Sequence, residues 1–217
     1  MSDYRLAVDV DGTLAASHEL VVDFLNKEYG DELPEDERFA FLQISDYDEI
    51  GDYFLKAGIS PQDFYDILNN KWRESPEEFS FIEDPYNVEQ NLRELNKTFE
   101  TDIVTMNPYP DNIQRWLEEN GIEKDKHYGR IISLHDEGIE KTDLDYDFYI
   151  DDNPNMVDKM EYHHSLLLYQ RPYNLNIKER IGPLVKKIDS IETANEILVT
   201  WKNKLDKLEP DSELFKE

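Results

Sequence analysis

The stretch LAVDVDGTLA, residues 6–15, runs from an apolar segment directly into two aspartates that lie one residue apart. Its first part, RLAVDV (5–10), has the length and composition of a buried β-strand. Asp9 and Asp11 therefore stand at the carboxyl end of a predicted strand, and Gly12 behind them allows a tight turn. Two carboxylates in such a place repel each other unless a cation lies between them.

Further apolar segments of strand length follow, and sequences with helical periodicity separate them. The predicted strands are DIVTM (102–106), DFYI (147–150) and SLLLY (165–169), with GRIISL (129–134) as a candidate fifth. The predicted helices are NVEQNLRELNKTF (87–99), PDNIQRWLEENG (110–121) and IETANEILVTWKNKL (191–205). This alternation predicts an α/β fold with a Rossmann-like parallel sheet and helices on both faces.

Residues 17–83 interrupt the alternation and contain no convincing buried strand. They carry two helical patterns, HELVVDFLNKEYG (18–30) and SPQDFYDILNNKW (60–72). Ser60 and Pro61 are typical of a helix start, as N-cap and first helical residue. We therefore predict a helical cap at 17–83, inserted into a core that is formed by residues 1–16 and 84–217.

The composition argues against several classes of protein. The 217 residues include 50 acidic and 23 basic side chains, and the net charge of −27 disfavours binding to nucleic acid or to anionic membranes. Cysteine is absent, so disulfides and thiol chemistry are excluded. No apolar segment approaches the roughly 20 residues of a membrane span, and the N-terminus lacks the pattern of a signal peptide. We expect a cytoplasmic protein without a nucleic-acid or membrane partner.

A second acidic pair follows another predicted strand in the same way. Asp151 and Asp152 come directly after FYI (148–150), as Asp9 and Asp11 follow the first strand. Ligands of parallel α/β sheets bind at the carboxyl ends of the strands, which lie along one edge. Carboxylate oxygens are hard ligands that suit Mg²⁺. The residues therefore predict a magnesium site at this edge.

The order of these features resembles the haloacid-dehalogenase-like (HAD) superfamily of phosphotransferases. Its first motif, Asp-x-Asp-Gly-Thr, is matched by DVDGT (9–13), and its acidic pair by FYIDD (148–152). Its second motif is a Ser or Thr that ends the next core strand, matched by Thr105 in DIVTMNP. Its lysine is matched by Lys141 in GIEKTD. The fold that the resemblance implies would cover essentially the whole chain.

Within that superfamily, the chain is similar to the 5′(3′)-deoxyribonucleotidases and their bacterial relatives. The similarity is carried by DVDGTLA, by the helical cap predicted after it, and by EKTDLDYDFYIDDNP (140–154). The segment LLLYQRPYN (166–174) adds to it. The resemblance implies a hydrolase whose partner is a small phosphorylated substrate, a nucleoside monophosphate, with Mg²⁺ as the cofactor.

The resemblance also implies a role for each motif residue. Asp9 would attack phosphorus and form an aspartyl-phosphate, and Asp11 would protonate the leaving alkoxide and then activate water. Mg²⁺ would be held by Asp9, by the backbone carbonyl of Asp11 and by Asp152, with Asp151 behind them. Lys141 would balance the charge of Asp9 and of the transferred group.

Contacts to the rest of the substrate are implied as well. The groups that would hold phosphate oxygens are Thr105, Asn107, Lys141 and a backbone N–H at Gly12. A nucleotidase needs an aromatic wall on which a base can stack. The cap aromatics expected to form this wall are Phe39, Phe41 and Trp72.

Other functions fit parts of the pattern. A phosphatase of sugar phosphates or of other small phosphomonoesters shares every motif, and so does a phosphomutase. A dehalogenase is disfavoured, because that branch of the superfamily lacks an acid/base aspartate at the position of Asp11 and needs no metal. A non-catalytic module that binds a nucleotide or a protein should have lost Asp9 or Asp11, and both are present.

Overall fold

The computed structural model describes residues 4–29, 58, 60–181 and 184–206. This part of the chain contains five α-helices and one sheet of seven strands. The strands are β1 (Arg5–Val8), β2 (Glu100–Thr105), β3 (Ile131–Ser133), β4 (Phe148–Asp151), β5 (Ser165–Tyr169), β6 (Arg180–Ile181) and β7 (Leu184–Ile188). The helices are α1 (Ser17–Tyr29), α2 (Pro61–Glu74), α3 (Pro85–Thr98), α4 (Pro110–Glu119) and α5 (Ile191–Leu205).

The sheet has the strand order β3-β2-β1-β4-β5-β7-β6, with β1 between β2 and β4. All neighbours from β3 to β7 are parallel, and β6 pairs antiparallel with β7 at the edge. Val8 lies opposite Ile103 of β2 and Ile150 of β4, so the carboxyl ends of these three strands meet. The predicted Rossmann-like parallel sheet is confirmed, and the antiparallel β6 is an addition to it.

The two faces of the sheet are covered in different ways. Alternate residues point to opposite faces. On one face lies a buried cluster to which all five helices contribute, with Val21, Leu68, Leu92, Trp116 and Leu198 among its side chains. The other packs against residues that follow β3 and β4, among them Leu134, Met156 and Met160. In the described ranges the helices on this second face are single 3₁₀ turns, because these connections carry the turn-forming residues Gly138 and Asn153-Pro154.

The five predicted helices are all present. The start of α2 has the predicted capping: the Ser60 hydroxyl accepts from the Asp63 N–H at 3.2 Å. The Asp63 carboxylate in turn accepts from the Ser60 N–H at 2.7 Å. None of the helices within the described ranges is long and apolar enough to cross a membrane.

The chain enters and leaves the segment 17–83 side by side. The Ala16 N–H donates to the Ser80 carbonyl, and the Ile82 N–H donates to the Leu14 carbonyl, both at 2.9 Å. The segment's helices α1 and α2 contribute to the buried cluster on the helical face of the sheet. Phe39 and Phe41 lie outside the described residues. The division into a core and a cap stays a prediction.

Candidate active site

The motif residues converge at the carboxyl ends of the three central strands. Asp9 follows β1, Thr105 ends β2, and Asp151 ends β4 with Asp152 directly behind it. The Asp9 N–H donates to the carbonyl of Ile150 at 2.9 Å, which continues the pairing of β1 with β4. All four side chains are buried. The sheet register therefore brings together residues that are far apart in the sequence.

Lys141 supplies the positive charge of the cluster. It begins a single 3₁₀ turn, Lys141–Asp143, on the connection between β3 and β4. Its Nζ lies 2.6 Å from Asp9 Oδ1 and 2.6 Å from Asp151 Oδ2. Burial lowers the pKa of the Lys141 ammonium, but Asp151 and Asp9 outweigh burial and raise it above its ordinary value. The lysine therefore stays charged between two carboxylates.

The acidic cluster carries more negative charge than Lys141 balances. Asp9, Asp151 and Asp152 each offer one carboxylate oxygen, and these oxygens lie within 4.8 Å of one another. Burial raises the pKa of Asp9 well above its ordinary range; Lys141 opposes this, and Asp151 and Asp152 add to it. Burial and then the charge of Asp151 raise the pKa of Asp152 to about 7. A divalent cation removes this excess charge, so the donor set fits Mg²⁺.

Asp152 is fixed from several sides. Its Oδ2 accepts from the hydroxyl of Tyr173, and its Oδ1 accepts from the hydroxyl of Thr13 at 3.2 Å. Its backbone carbonyl accepts from the Asn174 side chain at 2.8 Å. Gly12, with φ of +82°, lies so close that an added Cβ would stand 2.2 Å from Asp152 Oδ2. The glycine is therefore required both by its backbone conformation and by its neighbour.

Two expected phosphate-binding groups are engaged within the protein. The Gly12 N–H donates to the Ala15 carbonyl at 3.0 Å, so it is not directed at a phosphate. The reason is the tight turn after β1, which uses this amide to close itself. The Asn107 side-chain amide donates to Asp11 Oδ2 at 3.4 Å. The Asn107 backbone N–H donates to the hydroxyl of Thr105 at 3.0 Å. Thr105 keeps its hydroxyl proton for donation.

Asp11 is held by three donors. Its Oδ1 accepts from the hydroxyl of Ser17 and from the indole N–H of Trp72, the latter at 2.8 Å, while Asn107 approaches Oδ2. Burial raises the pKa of the Asp11 carboxyl, and the bonds from Ser17, Trp72 and Asn107 oppose that rise. A carboxyl with a raised pKa suits a group that gives and takes a proton.

The expectation for Trp72 is wrong. Its side chain is 0% exposed and stacks on Phe79, with ring centroids 3.9 Å apart. No part of the ring is open to a base. The helical periodicity of α2 turns Trp72 inward, and its indole N–H then donates to the partly buried Asp11.

A cavity of about 490 Å³ opens above the strand ends. Asp9, Asp11, Thr105, Lys141 and Asp152 line its floor. Its other lining residues include the amides Gln62 and Asn69 and the apolar side chains Tyr65, Leu68 and Met106. Tyr65 is 47% exposed and Met106 is 49% exposed. The volume lies within the range of roughly 300–1,000 Å³ that is usual for small-molecule sites.

Besides the lining residues named above, sequence reasoning missed three residues that touch the site. Ser17 and Tyr173 hold Asp11 and Asp152, and His18 lines the cavity. The His18 ring is stacked with Phe64, with centroids 6.0 Å apart, and burial, followed by the charge of Arg171, lowers its pKa to about 3. The neutral imidazole therefore adds no charge to the cavity wall. Ser17 and His18 stand four and five residues after DVDGT (9–13), and this position is the signal that the sequence offers for them.

The fold is similar to that of several solved structures. L-2-haloacid dehalogenase from Xanthobacter autotrophicus has a TM-score of 0.55 at 13% identity, covering 92% of this chain and 99% of that chain. YfnB from Bacillus subtilis, described as a HAD-hydrolase and bound to magnesium, has a TM-score of 0.52 at 15% identity, with coverages of 91% and 99%. CbbY from Rhodobacter sphaeroides, in complex with phosphate, has a TM-score of 0.51 at 16% identity, with coverages of 86% and 94%.

No protein-family model matches the chain, and no curated protein sequence matches it. The three structures include a dehalogenase and a protein bound to phosphate, so the shared fold leaves the chemistry open. What they have in common with this chain is the arrangement of the sheet and of the elements around it. The chain has the HAD-like α/β fold.

Proposed function

We propose that the protein is an Mg²⁺-dependent phosphomonoesterase that acts on nucleoside monophosphates. One observation carries the proposal: a second carboxyl, the partly buried Asp11, lines the same cavity as the nucleophile candidate Asp9 and is held by hydrogen-bond donors. A halide leaves as a weakly basic anion and needs no proton, whereas an alkoxide does. A nearby proton donor therefore favours phosphate-ester hydrolysis over dehalogenation.

In the first half of the proposed reaction, an oxygen of Asp9 attacks phosphorus as the bond from phosphorus to the ester oxygen breaks. Asp11 gives its proton to the leaving oxygen, and the free alcohol departs. Lys141, 2.6 Å from Asp9 Oδ1, balances the negative charge that gathers at the reacting groups. The Thr105 hydroxyl donates to a phosphate oxygen.

In the second half, the ionised Asp11 takes a proton from a water molecule, which attacks phosphorus and releases inorganic phosphate from Asp9. Asp9, Asp152 and the backbone carbonyl of Asp11 are the groups that would hold Mg²⁺, with Asp151 behind them. Bound there, the ion supplies charge neutralisation between the carboxylates and the phosphate. Lys141 and Asp151 keep the Asp9 carboxylate in place.

The lining of the cavity supports a nucleoside as the leaving group. Tyr65 offers a partly exposed ring on which a base can stack. Gln62 and Asn69 belong to the same helix, α2, and line the cavity with Tyr65. Their side-chain amides can form hydrogen bonds with the polar edge of a base. A sugar phosphate is the alternative substrate, because it would use the same floor and the same amides without the aromatic ring.

The test is phosphate release with Mg²⁺ over a panel of 5′- and 3′-(deoxy)ribonucleotides, sugar phosphates and an aryl phosphate. We expect nucleotides to exceed sugar phosphates by about tenfold in kcat/KM. Asp9→Asn should abolish release, whereas Asp145→Asn, whose side chain is 99% exposed, should retain it. A preference for sugar phosphates would contradict the proposed substrate and would support the proposed phosphatase chemistry. Release that persists in Asp9→Asn would contradict the proposed nucleophile.

A further inference from the structure

We propose that Trp72 is a positioning residue that orients the Asp11 carboxyl for proton transfer. The inference rests on the proposed function, since it assigns a role in the reaction that Asp11 is proposed to catalyse. Trp72 lies 61 residues from Asp11 in the sequence and belongs to α2 of the predicted cap. Asp11, which follows strand β1, would thus be aligned by a residue of the predicted cap at 17–83.

The hydrogen bonds of Asp11 fix the orientation of its carboxyl group. Oδ1 accepts from the Trp72 indole at 2.8 Å and from the hydroxyl of Ser17, so both of its lone-pair directions are occupied. Oδ2 has one approach, from the Asn107 amide at 3.4 Å. An indole N–H only donates and cannot accept a proton. Trp72 and Ser17 together hold Oδ1, and this sets the plane of the Asp11 carboxyl and the direction of Oδ2.

The indole itself has little freedom to move. Its ring stacks on Phe79 at 3.9 Å with an angle of 12° between planes, and it meets Trp116 edge-on at 5.5 Å. Its backbone carbonyl accepts from the Asn112 side chain at 2.8 Å. The ring has no exposed surface. The direction of its N–H is therefore fixed by packing, as a positioning group requires.

The same helix also meets the cavity. Gln62, Tyr65 and Asn69 of α2 line the cavity, while Trp72 on the next turn reaches Asp11. Contact of a leaving group with α2 and alignment of the acid thus depend on one helix. Trp72 itself contacts Asp11 and is not among the residues that line the cavity. Removal of its indole N–H should therefore slow the chemical step and leave substrate binding unchanged.

The experiment compares Trp72→Phe with Trp201→Phe. Trp201 is the control for the substitution itself, because it lies on α5 and its ring packs against Phe148, with centroids 6.3 Å apart. Among the described residues, no hydrogen bond or ring contact joins Trp201 to Trp72 or to Asp11. Each variant is assayed on a nucleoside monophosphate, whose alkoxide needs a proton, and on an aryl phosphate with a weakly basic leaving group. The value kcat/KM is used, since it reports only steps up to the first irreversible one.

For Trp72→Phe we expect kcat/KM on the nucleotide to fall about tenfold through kcat, with KM unchanged, and kcat/KM on the aryl phosphate to change less than about twofold. Trp201→Phe should stay within about twofold on both substrates. An equal fall on both substrates, or no fall on the nucleotide, would overturn the positioning role. If the unsubstituted protein shows no Asp9-dependent release, the proposed function fails first, and the role of Trp72 fails with it.

A second measurement covers the case in which Trp72→Phe does not fold. The indole ¹H–¹⁵N resonances of Trp72, Trp116 and Trp201 are compared between the unsubstituted protein and Asp11→Ala. Removal of the acceptor should move the Trp72 resonance upfield by more than either of the other two. A Trp72 resonance that does not move would show that the bond to Asp11 is absent, and would overturn the inference.

Discussion

Replacement of Gly12 by alanine tests how the turn after β1 supports the acidic cluster. The added Cβ would stand 2.2 Å from Asp152 Oδ2 and 2.7 Å from its Cγ, and the residue would keep a φ of +82°. Gly121 offers a matched control, because its φ is also +82° and a Cβ there has nothing within 4 Å. The pair Gly12→Ala and Gly121→Ala therefore separates backbone strain from collision with Asp152.

Backbone strain and the collision with Asp152 lower the stability separately. A left-handed φ costs a non-glycine residue about 1–2 kcal/mol, and both variants incur it. At Gly12, Asp152 Oδ2 must also retreat by about 1 Å to restore an ordinary contact. That movement weakens its bonds with Tyr173 and Thr13, which adds about 1–2 kcal/mol. It also exceeds the tolerance of about 0.2 Å that metal–ligand distances allow.

The assay is urea unfolding without metal, together with calorimetric titration of Mg²⁺. Gly121→Ala should lower the free energy of unfolding by about 1–2 kcal/mol and bind Mg²⁺ as the unsubstituted protein does. Gly12→Ala should lose about 2–4 kcal/mol and bind Mg²⁺ about 10–100-fold more weakly. The reasoning is refuted if the two variants lose the same stability and Gly12→Ala retains full Mg²⁺ affinity.

Three further substitutions have expected outcomes. Lys141→Met removes the positive charge beside Asp9, so the free energy of unfolding in urea should fall by about 3 kcal/mol. The kcat should be at least about 100-fold lower, and an unchanged kcat would contradict the role of Lys141. Tyr173→Phe should weaken Mg²⁺ binding about tenfold by calorimetry, unlike Tyr162→Phe, whose side chain is exposed. Because burial lowers the pKa of His18 to about 3, the unfolded chain binds a proton there below about pH 6.5 that the folded state does not, so stability falls as pH drops from 6.5 towards 3. His18→Gln should reduce this slope of the unfolding free energy by up to about 1.4 kcal/mol per pH unit, and an unchanged slope would exclude the buried neutral imidazole.

The sequence predicts the part of the fold that depends on local patterns. The segment that becomes β1 is apolar up to Asp9, and the one that becomes β4 is apolar up to Asp151, so strand ends and carboxylates coincide in the sequence itself. The strand β7 was not predicted. Its residues, LVKKI, include two lysines and are only partly buried beside the edge strand, so no continuous apolar segment marks it.

The contacts that complete the site arise from packing between distant segments. The pattern of α2 shows that Trp72 faces inward, but its bond to Asp11 depends on how the helix sits on the sheet. Tyr173 reaches Asp152 across 21 residues from a turn after β5. The Gly12 N–H is used within its own turn, which the motif alone does not reveal. Such contacts follow from tertiary packing and not from spacing along the chain.

The central claim is that Asp9 becomes covalently phosphorylated during turnover. The direct measurement is rapid quenching of Asp11→Asn protein with Mg²⁺ and an aryl phosphate, followed by peptide mapping by mass spectrometry. Because the substituted residue cannot activate water, the intermediate should accumulate, with one phosphoryl group on the peptide that contains Asp9. Absence of that adduct while the phenol is released, or the same adduct in protein that also carries Asp9→Asn, would contradict the account.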